Sequence, residues 1–434
     1  MTAPRRISVR TGLLLLVPLL IFTFAVRAFA YNAKTVDLDF SVYWVSARQA
    51  FTQQTAPYDV AALRQVSREW LPGRQPMTPF IYTPPALLPF WLFKDLEFPR
   101  ATRLMLLINL LAVAAALAFM AHALGLGESR RVFRYSAVYI LLFAPLYESL
   151  GMGQVNPVML LLLCAVWHVY RSGRAAWAGG FAGAAVVFLK LHFGLLLLPL
   201  LLRRQWRPVL WGTAFLGLGA GLAWAVFPFD AWGEWYAHVV SVSSTTRLPA
   251  GMPPITHWSN LSVPGLTSRF LLTNPFFPND PVPLWPASAV ASVLCSAIIC
   301  VAAWVLWRSS HMARTPERAN MELCLVLATA FEVSPVSWGP HLVFLLPVML
   351  LLGRHVVLTP GVPSPQRALL GTVIFLLAMH PIVLKLQDPV AVLAVATLRS
   401  LATLWVWSAM TLLVLRLSPA GEPDVKAAVP AISG

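Results

Sequence analysis

The chain has 434 residues, of which 58% are hydrophobic and only 11% charged, with a mean hydropathy of +0.70. Soluble domains carry about a quarter charged residues, so this composition excludes an ordinary soluble protein and predicts an integral membrane protein. The net charge is +15, from 32 Lys and Arg against 17 Asp and Glu, but most of the excess sits in short turns between apolar runs. That distribution is a signature of membrane topology and not of a nucleic-acid partner.

Apolar runs recur along the chain, several of about 18 residues or more, each long enough to cross a bilayer as a helix. Strand-like alternation is absent, which disfavours a β-barrel. The predicted fold is an all-α polytopic bundle of about twelve transmembrane helices. Residues 1–416 form one domain, and the tail 417–434, rich in Pro, Ala and Gly, reads as disordered. Cys164, Cys295, Cys300 and Cys324 all fall in apolar runs and form no CxxC pair. They read as small buried hydrophobes, not as a disulfide or metal framework.

In chain order, Arg5, Arg6 and Arg10 precede an apolar run, 11–30, that reads as a retained signal-anchor with a cytoplasmic N-terminus. Residues 31–100 then form a first extracytoplasmic loop. Within it, 80–93 is apolar but short and carries Pro84, Pro85 and Pro89, so we read it as a juxtamembrane helix along the outer surface. Further spans follow at 101–124, 136–150, 158–170, 175–189, 193–202 and 208–227. A large outer loop, 228–283, is rich in Pro, Trp and His. The remaining spans are 284–307, 320–333, 342–352, 368–382 and 394–415, which leaves both termini in the cytoplasm. Gly179 with Gly183, and Gly217 with Gly221, are small-xxx-small pairs suited to helix packing. No internal repeat is evident, which weighs against inverted-repeat transporters.

This topology gathers the unusual polar residues on the outer side. Asp37 and Asp39 follow the first span and are succeeded by aromatics. Asp37 suits a helix cap. For Asp39 two readings stand: a cap, or a general base beside an apolar wall that raises its pKa. Lys190 and His192 lie between two apolar runs, as headgroup-snorkelling residues or as cations for a phosphate. In Gly151–Pro157, Gln154 and Asn156 offer amides suited to sugar hydroxyls, or the segment is simply an interhelical turn. The turn 334–341 carries Trp338 and His341, where Trp338 suits either a sugar face or the interfacial belt. Glu332 reads as a structural partner for a cation. Arg399, inside the last span, either snorkels outward or faces a cavity. His257 and Asn260 of the large loop are further candidates, and Asn260-Leu261-Ser262 also matches a glycosylation sequon.

The order of these motifs resembles glycosyltransferase family 87, the polyprenol-phosphate-sugar-dependent enzymes of the GT-C membrane fold. The resemblance rests on Asp39 to Trp44, Pro57-Tyr58-Asp59, Tyr82-Thr83-Pro84-Pro85 and Gly153-Gln154-Val155-Asn156-Pro157. It continues through Leu189-Lys190, Asn260 to Gly265, and Ser334-Pro335-Val336-Ser337-Trp338. It implies a membrane hexosyltransferase, with mannose the family-weighted sugar, that works without a cofactor or metal. The donor is a lipid-phosphate sugar, and the acceptor is a glycolipid or glycan on the extracytoplasmic face of the cytoplasmic membrane. No nucleic acid or obligate protein partner is implied. Asp39 maps to the family's general base. Lys190, His341 and His192 map to the donor phosphate. Tyr43, Tyr82, Gln154, Asn156, His257, Asn260 and Trp338 line the substrate. In relatives histidines tend to follow the Trp directly, whereas here Gly339 and Pro340 intervene. The competing readings are a lipid-linked sugar flippase and an O-antigen ligase. The first would carry repeats and mid-membrane charges. The second would need a set of loop arginines, where 228–283 has only Arg247 and Arg269.

Overall fold

A computed structural model describes residues 38–71, 78–127, 129–274, 283–358, 364–378 and 388–416. The first span, Asp37 and the tail lie outside the described residues. Those described are helical, with no strand among them. Helix α1 (Leu38–Arg48) and α2 (Val60–Trp70) precede a 3-10 helix, Pro84–Phe93. Then come α3 (Phe98–Ala123), α4 (Arg130–Leu142), α5 (Ala144–Gly151), α6 (Asn156–Ser172) and α7 (Ala176–Leu189). A second 3-10 helix, Leu191–Leu196, leads to α8 (Leu197–Leu202), α9 (Trp206–Val226) and α10 (Ala231–Trp235). The chain ends with α11 (Val263–Leu271), α12 (Leu284–Ser310), α13 (Pro316–Val333), a third 3-10 helix (Gly339–Leu345), α14 (Leu346–Leu358), α15 (Ser364–Ala378) and α16 (Pro389–Arg416).

Among the described residues, five helical stretches are long and apolar enough to cross a membrane: α3, α9, α12, the continuous Gly339–Leu358 and α16. Their outer faces carry large apolar side chains such as Leu111, Leu210, Trp224, Trp285 and Val293. A surface of that kind is stable against lipid and not against water. The chain is a multi-pass helical membrane protein.

Several predicted spans take a different form. The run 136–150 is divided at Phe143 into α4 and α5, because Pro145 cannot continue the preceding hydrogen-bond ladder. The 175–202 hairpin becomes a 14-residue α7, a 3-10 turn and a six-residue α8. The segment Pro84–Phe93 is a ten-residue 3-10 helix buried on α1. At about 2 Å per residue it reaches about 20 Å, short of a bilayer core of about 30 Å.

Prolines start helices where the first N–H has no partner anyway, at Pro99, Pro145, Pro157, Pro264 and Pro316. Gly173, at φ +67°, ends α6 in a left-handed turn. Near that end the buried Arg203 pairs with Glu322 and reaches Ser309 O at 3.0 Å, while Tyr170 donates to Glu322. This cluster lies 14 positions along α6 from Asn156, about 20 Å at 1.5 Å per residue.

The small residues pack differently from the prediction. Gly179 does meet Val169, but the tight crossing is Gly180 against Trp211 and Gly212 of α9, and Gly217 and Gly221 face open space. Cys164, Cys295 and Cys324 are buried, whereas Cys300 is exposed on the outer face of α12, where the surrounding lipid and not the core accepts its apolar side chain. Glu332 is buried beside Thr403 and forms no ion pair among the described residues, so the expected cation is absent.

A Cβ added at Gly180 would lie 2.5 Å from Trp211 Cβ and 2.6 Å from Gly212 N, against backbone that cannot swing aside. Gly180→Ala should therefore cost about 1–3 kcal/mol by overpacking. Its melting midpoint in detergent should fall by several degrees while Gly217→Ala, in mid-helix with nothing within 4 Å, should not lower it.

Candidate active site

The first turn of α1 docks on the turn between α5 and α6. Asp39 N and Phe40 N both donate to Met152 O, at 3.1 and 3.2 Å. Gly153 follows at φ +66°, a backbone conformation that turns the chain back toward Asp39 and that L side chains rarely adopt. Asp39 is thereby brought against Gln154, whose Nε2 donates to Asp39 Oδ2.

Gln154 is itself held. Its Oε1 accepts from Asn156 Nδ2 and lies 3.3 Å from Ser149 Oγ, and its backbone carbonyl accepts from Asn109 Nδ2 at 2.9 Å. Ser149 Oγ reaches Pro340 O at 3.1 Å, and Asn156 Nδ2 lies 3.5 Å from the same carbonyl. The Gln154 and Asn156 side chains are buried and committed to protein partners. The reading of these amides as sugar ligands gives way to a relay that orients Asp39. Burial raises the Asp39 pKa to about 6, against the Gln154 hydrogen bond and the charge of Lys190, which both lower it.

Lys190 ends α7, and its Nζ lies 3.0 Å from His341 Nε2. Burial lowers its pKa to about 7, and Asp39 partly offsets this. His341 does not sit in an open outer turn as expected. It is buried in the first turn of the third 3-10 helix, with Val336 O 3.3 Å from Nδ1 on its other edge. Pro340, just before it, is the second residue of that helix. Beside them, burial and the Lys190 charge push His192 down to about 3, so it is a neutral ring and not a cation. A lysine ammonium has three donors and no acceptor, so when Lys190 is charged it donates to His341 Nε2, the ring proton sits on Nδ1 toward Val336 O, and Lys190 keeps two further donors.

Tyr43 and Tyr82 border Asp39, with their hydroxyls 3.1 Å apart. Thr83 ties that strip to the end of α7, its N and Oγ1 donating to Phe188 O at 3.3 and 2.8 Å. Trp338 stands at the rim, edge-on to His257 at 5.6 Å. Burial, aided by Arg269, lowers the His257 pKa to about 4, and its Nδ1 lies 2.9 Å from Ser259 Oγ.

Asn260 is not at the rim. It is fully buried, donates to Pro335 O at 3.0 Å and accepts from Ser337 N at 3.0 Å, which fastens the large loop to 334–341. Its burial also rules out the sequon reading, because the amide is spent inside the protein. Arg399 is buried rather than snorkelled, facing Glu148 across Gly339. Glu148, close enough to feel Asp39, escaped the sequence reading, as did Ser149. A carboxylate inside an otherwise apolar run was the available signal for Glu148.

The sequence profile of glycosyltransferase family 87 matches residues 80–335, more than half of the chain. The chain belongs to glycosyltransferase family 87. It is a membrane glycosyltransferase. Two relatives are polyprenol-phosphate-mannose-dependent alpha-(1-2)-phosphatidylinositol mannoside mannosyltransferases. That of Mycobacterium tuberculosis is 25% identical over 68% of this chain and 70% of its own length. That of Mycolicibacterium smegmatis is 27% identical over 68% and 69%. An alpha-(1->3)-arabinofuranosyltransferase of Corynebacterium glutamicum is 25% identical over 40% of this chain and 39% of its own. No solved structure matches significantly.

Gln154→Leu deletes the hydrogen bond that favours ionised Asp39, so the Asp39 pKa should rise from about 6. The pH at which glycosyl transfer reaches half its maximum on the acid side should move upward by about one unit. A rate-against-pH series on both proteins checks this.

Proposed function

We propose that this glycosyltransferase transfers a hexose, in the first instance mannose, from a polyprenyl-phosphate sugar to a glycolipid or glycan hydroxyl. The observation that carries the reading is a half-buried carboxylate, Asp39, within electrostatic reach of a half-buried cation, Lys190, next to an apolar groove. The groove, of about 420 Å³, runs between the first 3-10 helix, α3, α6, α7 and α9. Its lining includes Val155, next to Gln154, and Leu189, next to Lys190, with Phe90, Met105, Leu162 and Leu218 beyond. An apolar channel lined by the chain neighbour of a lysine suits a long prenyl chain bearing one phosphate.

In this mechanism the phosphate lies on the donors that Lys190 keeps free, with His341 Nε2 holding the ammonium in place as an acceptor. Asp39 takes the proton of the acceptor hydroxyl on Oδ1, because Gln154 occupies Oδ2. The acceptor oxygen bonds to the anomeric carbon as the bond from that carbon to the phosphate oxygen breaks. One displacement inverts the anomeric configuration, and polyprenyl phosphate leaves. Lys190 stabilises the charge that grows on the leaving oxygen, in a site that excludes water and so strengthens the interaction. His192 contributes as a neutral hydrogen-bonding ring. No cofactor enters the scheme. The same reading puts the site on the extracytoplasmic side of the cytoplasmic membrane, with both termini inside and a GT-C arrangement of about twelve spans.

The decisive test is transfer from radiolabelled polyprenyl-phosphate mannose to membrane lipids. Asp39→Asn at equal expression should lower the rate by about 10²–10⁴, the usual contribution of a general base. Equal labelling by both proteins would remove Asp39 from that role, and no labelling by wild type would sink the donor. The pH dependence of kcat/KM should also be bell-shaped. It rises through about 6 as Asp39 ionises and falls above about 7 as Lys190 loses its proton.

A further inference from the structure

Tyr43 is buried and Tyr82 half-buried, and distance alone leaves open which hydroxyl donates to the other. Hydrogen-bond accounting decides it. A buried phenol must place its own proton, and the Tyr82 oxygen is the acceptor that the Tyr43 hydroxyl has within hydrogen-bond distance among the described residues. Tyr43 therefore donates to Tyr82, and the Tyr82 proton is turned away from Tyr43. Tyr82 makes no other hydrogen bond among the described residues, and it lies within electrostatic reach of Asp39. The backbone on both sides of it is pinned, by Thr83 on Phe188 O and by Trp235 Nε1 on Ile81 O at 3.3 Å. Burial holds its pKa up at about 12, so the hydroxyl stays protonated at neutral pH.

A fixed O–H donor beside a carboxylate acceptor is complementary to two neighbouring hydroxyls. One gives its proton to the carboxylate, and the oxygen of the other accepts from the phenol. We propose that Tyr82 is a specificity-determining donor to a sugar hydroxyl oxygen next to the one that Asp39 engages, and that Tyr43 is a positioning residue that fixes the direction of that donor. This rests on the reading of Asp39 as the base of a sugar transferase.

The test is calorimetric binding of octyl α-mannoside, octyl α-glucoside, octyl β-galactoside and the monodeoxy octyl mannosides. The full-length enzyme is held in a polyoxyethylene detergent, which carries no sugar. Wild type should bind at least one glycoside, and Tyr82→Phe should weaken it about tenfold, the size of one directed hydrogen bond. Removal of one particular hydroxyl from that glycoside should weaken wild type by the same factor and leave Tyr82→Phe indifferent. Tyr43→Phe should weaken binding less, and the double variant should be no worse than Tyr82→Phe, because both act through one hydroxyl. Equal binding by wild type and Tyr82→Phe, additive losses, or no glycoside bound by wild type would each overturn the proposal. If a variant fails to fold, the deoxy series on wild type alone decides: a loss confined to one hydroxyl supports the donor, and no loss at any hydroxyl overturns it. A hydroxyl-dependent Tyr82 effect without any transfer from polyprenyl-phosphate mannose would retain the tyrosine pair and sink the donor-substrate assignment. Transfer with no Tyr82 effect would do the reverse.

Discussion

The hydrogen bond from Gln154 to Asp39 is the constraint on which the site depends. A carboxylate at a membrane boundary is drawn toward water, and one in a cleft gains nothing unless its direction is fixed. Here one amide fixes it. That amide is fixed in turn by Asn156 and Ser149, and these reach Pro340 O beside His341. Parts of the chain nearly 200 residues apart in sequence are thus joined through one buried polar network. Such networks orient their members well when their groups are satisfied, and here both ends of the Gln154 side chain are engaged, Nε2 on Asp39 and Oε1 on Asn156.

Two kinds of surroundings meet at this network. On one side lies an apolar groove that a lipid chain can occupy, and on the other the polar loop that Asn260 and Arg269 fasten down. Arg269 does so by donating to Asn260 O at 2.6 Å and to Ser400 Oγ at 2.7 Å. At the far end of α6, the Arg203–Glu322 pair holds the end of α8 to α13. A buried ion pair adds little net stability against an apolar substitute, but it tolerates one registry only. That registry keeps α13 aligned with α6, whose other end begins at Asn156.

The polar residues of the site were legible in the sequence because charge is costly inside a bilayer and so stands out in an apolar chain. Asp39, Lys190 and His341 could be named on that ground together with the family resemblance. Their partners could not. Gln154 and Asn156 look like ligands when only residue type is known, since an amide suits a sugar as well as it suits another side chain. Asn260 misleads for the same reason. His192 reads as a cation until its burial beside Lys190 is known, because a pKa is a property of surroundings and not of a residue.

The solvent in which this protein folds follows from composition and from the recurrence of apolar runs. The family follows too, from the order of short motifs. Which glycines touch, where the helices break, and which polar groups face one another across 115 residues, as Asp39 and Gln154 do, emerge only once distant segments pack. A local run of residues does not encode those outcomes, because the same Gly or Asn serves several environments at nearly equal cost.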